Sequence, residues 1–63
     1  MDLNRLGLKC KYLRENLGIT QKEVAKELGC SPELISAFEH GRTNNAIILM
    51  WYVKRGLYHA ENI

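Results

Sequence analysis

The strongest constraint on this 63-residue chain is a three-residue break, Gly29-Cys30-Ser31, set between two clear helix signals. Before it, Thr20-Gln21-Lys22-Glu23 reads as a capping box. The Thr hydroxyl can accept from the Glu23 amide while the Glu carboxylate reaches back to the Thr20 amide. Val24, Ala25 and Leu28 then form an apolar stripe that ends at Gly29. After the break, Ser31 caps, Pro32 takes the first helical position, where its missing N–H costs nothing, and Glu33 favours the positive end of the helix dipole. Leu34, Ile35 and Phe38 face inward, and His40-Gly41 closes the second helix. Two short helices joined by a turn this tight, with Gly at its head, must meet at a steep angle.

The rest of the chain reads as helix too. Leu3, Leu6, Cys10, Leu13 and Leu17 recur at spacings of three or four, one face of a first helix that Gly18 stops. Asn44-Asn45 suits the cap of a last helix with the body Ala46-Ile-Ile-Leu-Met-Trp-Tyr-Val53, closed by Lys54-Arg55-Gly56. The glycines at 7, 18, 29, 41 and 56 read as punctuation at about one helix length each. Residues 57–63 either add one more turn or fray, and the sequence leaves both open. The expected class is all-α, one domain over residues 1–63 with four or five helices.

Size and composition narrow the function. A chain this short hides about 60% of the surface its unfolded form exposes, which leaves no room for a substrate cavity. Hydrophobic residues at 46% and charged residues at 25% are globular proportions. No nucleophile motif or Gly-rich phosphate loop occurs, so catalysis is not expected. Cys10, Cys30, His40 and His59 lack paired-ligand spacing. No metal, cofactor or small-molecule ligand is expected. The longest uncharged apolar run has eight residues, too short for a bilayer, and no apolar leader opens the chain. The expectation is a cytoplasmic protein with no membrane partner and two reduced thiols. The net charge of +2 permits an anionic partner without demanding one.

Counting from Gln21, the residues Val24, Ala25, Leu28, Gly29, Cys30, Ile35 and Phe38 stand where a helix-turn-helix unit over about 21–40 needs them. Ala25 must be small because the second helix crosses close by. Gly29 can take the positive φ of the turn. The other five are the apolar wedge that sets the angle. Leu13-Arg-Glu-Asn-Leu-Gly-Ile-Thr-Gln21, Ala25-Lys-Glu-Leu-Gly29 and Ser31 through Glu39-His-Gly41 resemble the phage Cro and repressor type (XRE-like) of helix-turn-helix regulator. The resemblance covers residue 6 to about 53. It implies a compact lambda-repressor-like domain that binds operator double-stranded DNA, usually as a two-fold dimer, as a small regulator and by kind a repressor. It also implies a buried or half-buried ion pair between Arg14 and Glu39.

In such a domain the helix from Pro32 enters the major groove with its first residues against the base edges. Pro32, Glu33, Ser36 and Ala37 are then the base-reading candidates. Glu33 can accept from a cytosine amine, Ser36 can bond either way, and Pro32 and Ala37 can touch a thymine methyl. With no Arg, Asn or Gln there, the base code should be weak or dependent on DNA shape. Phosphate candidates are Gln21, where the family places a side-chain amide, and Ser31, His40, Arg42, Thr43, Asn44 and Asn45. Lys9, Lys11 and Lys22 join them on charge alone. Three of these have plainer readings: Ser31 as a cap, Glu33 as a dipole partner, His40 as a favourable helix end. Eight consecutive apolar residues cannot all enter one thin core. Ile47, Ile48, Met50, Trp51, Tyr52 and Val53 are therefore candidates for a homodimer contact over 45–55, which would set two reading helices about 34 Å apart. A single core wrapped round this helix is the competing arrangement. The alternative function is a protein-interaction module of antitoxin or anti-repressor type, with DNA binding weak or lost.

Overall fold

The computed structural model describes the backbone of residues 3–57 and the side chains of residues 5–57. Within that range four helices follow one another: α1 (Leu3–Asn16), α2 (Gln21–Leu28), α3 (Pro32–Glu39) and α4 (Ala46–Lys54). The alternatives for residues 58–63, the inward role expected of the Leu3 side chain, and His59 lie outside the described residues.

Local chemistry accounts for the element boundaries. Both halves of the capping box form: the Glu23 amide donates to Thr20 Oγ1 at 3.1 Å, and the Thr20 amide donates to Glu23 Oε1 at 3.0 Å. α2 stops where Gly29 takes φ 71, a left-handed conformation that costs a glycine little. The Cys30 amide then donates back to the Ala25 carbonyl at 2.9 Å. Ser31 Oγ accepts from the Leu34 amide at 3.2 Å to start α3. Asn45 Oδ1 accepts from the Ile47 and Ile48 amides at 2.9 and 3.1 Å to start α4.

The core takes two or three residues from each helix: Leu6 and Cys10, Val24 and Ala25, Ile35 and Phe38, Ile48, Trp51 and Tyr52. α3 sits at its centre, packed on both α1 and α2. The Tyr52 ring stacks parallel to Phe38 with centroids 6.0 Å apart, and Trp51 meets Tyr52 edge-on at 5.0 Å. The Arg55 guanidinium lies 4.5 Å over the Trp51 ring and pairs with Glu27 at 2.9 Å, which pins the end of α4 to α2.

Three expectations are corrected. Ile48, Trp51 and Tyr52 are not available to a partner chain, because they are 1%, 5% and 0% exposed. Their i, i+3, i+4 spacing turns them together against the other three helices. What α4 leaves outside is Ile47, Met50 and Val53, at 68%, 51% and 36% exposure. Gly7 is no punctuation: it lies buried inside α1, and a Cβ there would stand 2.3 Å from the Glu39 carbonyl oxygen. Leu17 is exposed, because the helix ends at Asn16 and the chain reverses through Gly18 at φ 72.

Candidate nucleic-acid interface

The face of α3 turned away from Ile35 and Phe38 carries the four base-reading candidates. Glu33 is exposed, and Pro32, Ser36 and Ala37 are half-buried. α3 has the sequence PELISAFE, so no amide or cation projects from it. Among the flanking residues, Arg42 and Asn44 are exposed and Thr43 is half-buried. Ser31 and Asn45 serve as helix caps, each with its side-chain oxygen occupied by backbone amides. His40 Nδ1 lies 2.7 Å from the Ser36 carbonyl, an acceptor, so Nδ1 carries the proton and the ring closes the end of α3. Lys22 is exposed beside Gln21, in a groove with Arg14, Thr20 and Pro32. Lys9 lines a separate groove with Tyr12 and Leu57, and Lys11 is half-buried.

Behind this face stands a buried polar junction. Arg14 Nε donates to Glu39 Oε2 at 2.7 Å and Arg14 Nη2 donates to Oε1 at 3.2 Å, a two-pronged pair with both residues buried. Arg14 Nη1 donates to the Ile19 carbonyl at 2.8 Å. Two further donors reach the same carboxylate: Gln21 Nε2 at 3.0 Å from Oε1, and the Tyr52 hydroxyl at 2.5 Å from Oε2. Every helix thus contributes one residue to the junction.

Its electrostatics follow from that geometry. Burial alone would raise the Glu39 carboxyl above its ordinary range, but the donations from Arg14, Tyr52 and Gln21 outweigh it and hold the group below. The bond to Glu39 raises Arg14 further. Burial, then the bond to an anionic acceptor, raises the Tyr52 hydroxyl. Cys10, fully buried, is pushed up to about 12 by desolvation and by the charge of Glu39.

No local sequence pattern places Tyr52 or Gln21 in this junction. Tyr52 is embedded in an apolar run, and its hydroxyl, a polar group that must find a partner when buried, was the one available signal. Gln21 stands at the start of α2, a position that says nothing about a partner eighteen residues on.

Among the described residues no helix is long and apolar enough to cross a membrane, and no group of three or more His, Cys, Asp or Glu is placed to hold a metal ion.

Comparison with known proteins gives the arrangement its kin. The helix-turn-helix family matches residues 11–45. The chain is 34% identical over 64 aligned residues to an uncharacterized HTH-type transcriptional regulator, y4dJ, of Sinorhizobium fredii, covering 97% of this chain and 83% of that one. It is 38% identical over 52 residues to an uncharacterized HTH-type transcriptional regulator of Methanothermobacter thermautotrophicus, covering 79% and 75%. No solved structure matches it significantly. The matched span runs from the middle of α1 to the cap of α4 and so takes in both helices of the unit, the turn and the Arg14–Glu39 pair, and the chain belongs to the XRE-like, Cro/repressor-type family of helix-turn-helix regulators.

Proposed function

We propose that this protein binds double-stranded DNA as a small transcriptional regulator, a repressor by its resemblance, with α3 presented to the major groove and two copies acting together. The observation that carries the reading is the division of labour on α3. Ile35, Phe38 and Glu39 are buried, which leaves Pro32, Glu33, Ser36 and Ala37 on the surface. Gln21 and Lys22 stand at one end of that surface, and Arg42, Thr43 and Asn44 at the other, where a helix laid in the groove meets the phosphate backbones. The names of both relatives support it. With no bidentate purine reader on α3, phosphate contacts supply most of the affinity and DNA shape much of the selectivity. The dimer contact falls to Ile47, Met50 and Val53, an exposed apolar stripe on α4.

A second reading, a protein-binding module built on the same scaffold, draws on the exposed Glu33 and the absence of any cation on α3. Sedimentation of the full chain with a random-sequence duplex at low and moderate salt separates the two. The DNA reading expects a dimer that moves with the duplex and is released as salt rises. A protein that ignores the duplex at low salt rejects it in favour of the module.

A further inference from the structure

We infer that Glu39 is a positioning residue for DNA binding, acting through Gln21: its carboxylate fixes which way the Gln21 amide points, so that the nitrogen and not the oxygen is presented to a DNA phosphate. The inference deepens the DNA reading above and rests on it.

An ionised carboxylate can only accept hydrogen bonds, so the end of the Gln21 amide that meets it must be Nε2. The separation of 3.0 Å is a full hydrogen bond. That contact consumes one of the two Nε2 hydrogens, and no other acceptor among the described residues takes the second. Gln21 is half-buried, in an open groove lined also by Arg14, Glu15, Thr20, Lys22 and Pro32. An unanchored glutamine rotates its amide freely, and half of those orientations turn Oε1, an acceptor, toward an incoming anion. Held by Glu39, the amide is a donor to anions on both sides: one hydrogen to the carboxylate, the other outward.

The same junction removes the obvious objection, that a carboxylate behind the contact would repel the phosphate. Glu39 is 3% exposed and shares its charge with three donors besides Gln21 Nε2, namely Arg14 Nε, Arg14 Nη2 and Tyr52 Oη. The guanidinium cancels the formal charge at hydrogen-bond distance.

The test combines a spectroscopic and a binding measurement on the full chain, using Glu39→Met, which leaves Gln21 no acceptor, and Gln21→Met. Because Glu39→Met strands the Arg14 charge and can unfold the protein, the pair Arg14→Met/Glu39→Met, which strands none, is measured beside it. In nitrogen-edited spectra of the free protein, the two Nε2 protons of Gln21 are expected to be well separated, with one displaced by the carboxylate, and to approach free-glutamine values when Glu39 is replaced. Affinity for a random-sequence duplex is expected to fall roughly three- to ten-fold on replacing Glu39, the cost of immobilising one more side chain on binding. In the Gln21→Met background the same replacement is expected to change affinity by less than about two-fold, since non-additivity is what identifies one residue acting through another. Equal losses with and without Gln21, or no loss at all, would overturn the positioning role. If the unaltered protein does not bind the duplex, the DNA reading fails and this inference with it. That outcome is told apart from a failure of the positioning alone by the Gln21 amide signals, which report the bond to Glu39 without DNA.

Discussion

Tyr52 Oη and Glu39 Oε2 stand 2.5 Å apart in the core, the one polar contact by which α4 joins a carboxylate already held by α1 and α2. α4 is otherwise attached through apolar packing and the Arg55–Glu27 pair at its end. The Tyr52–Glu39 bond therefore fixes the rotation of α4 about its own axis, and with it which three of its apolar residues stay outside.

Removing that hydroxyl should be felt in stability. Tyr52→Phe keeps the ring stacked on Phe38 and deletes a donor to a charged acceptor, worth about 1.5–3 kcal/mol. Arg14→Ala should cost more, about 3–5 kcal/mol, because it leaves a buried carboxylate without its cation. Replacing Arg14 and Glu39 together by Met should recover part of that loss, because no charge is stranded although the buried Tyr52 hydroxyl loses its acceptor. Urea unfolding of the four proteins checks the order: a double variant no more stable than Arg14→Ala would mean that the pair does not act as a unit.

Two pH limits follow from the same junction. The Glu39 carboxyl is lowered in the folded protein, so its contribution is present above the ordinary carboxylate range and is lost as pH falls through the depressed value. Cys10 is raised from 9.0 to about 12, so its contribution is complete below pH 9 and declines between 9 and 12 as the unfolded chain ionises while the folded one does not. Thermal unfolding across pH should show both limbs, and Cys10→Ala should flatten the alkaline limb at some cost in packing. Cys30, half-buried, should accept a thiol label in the native state while Cys10 waits for unfolding.

Gly7→Ala inverts a familiar rule. In the middle of an exposed helix the change stabilises by roughly 0.5–1 kcal/mol. Here the added Cβ would meet the Glu39 and Phe38 carbonyl oxygens at 2.3 and 2.7 Å, backbone atoms that cannot rotate away. α1 and α3 must separate, at a cost of about 1–3 kcal/mol or more. Calorimetry would show a melting temperature lowered by several degrees, and an unchanged or raised value would contradict the close approach.

Stability and binding should separate between neighbours on the loop before α4. Asn45→Ala removes a cap that accepts two amides and should cost about 1 kcal/mol of stability. Arg42→Ala, at an exposed position, should leave stability within about 0.5 kcal/mol while weakening duplex binding and reducing the salt slope by about 1. Titrations at several salt concentrations, beside urea unfolding, read both quantities.

The two faces of α4 should respond in opposite ways. Met50→Lys, at a 51% exposed position, should keep the fold and dissociate a dimer built on this stripe. Ile48→Ala, at a 1% exposed position, should cost about 2–5 kcal/mol. Sedimentation of the folded Met50→Lys protein decides the first, since an unchanged mass would place any dimer contact elsewhere.

What the sequence determined by itself were the features settled within a few residues of chain: the capping box at Thr20, the turn at Gly29, the Ser31-Pro32 start and the Asn45 cap, hence α2, α3 and the angle between them. Each rests on bonds between groups two to five positions apart, so the residue types carry the information. The family resemblance added the Arg14–Glu39 pairing, which no local pattern contains. The tertiary structure decided the rest. α4 is apolar all round and has no favoured face of its own, so the three helices packed against it chose Ile48, Trp51 and Tyr52. Gly7 reads as punctuation until α3 is laid across it, thirty-two residues later. Gln21 and Tyr52 lie eighteen and thirteen residues from Glu39, and they share its carboxylate because burying that charge required every donor within reach.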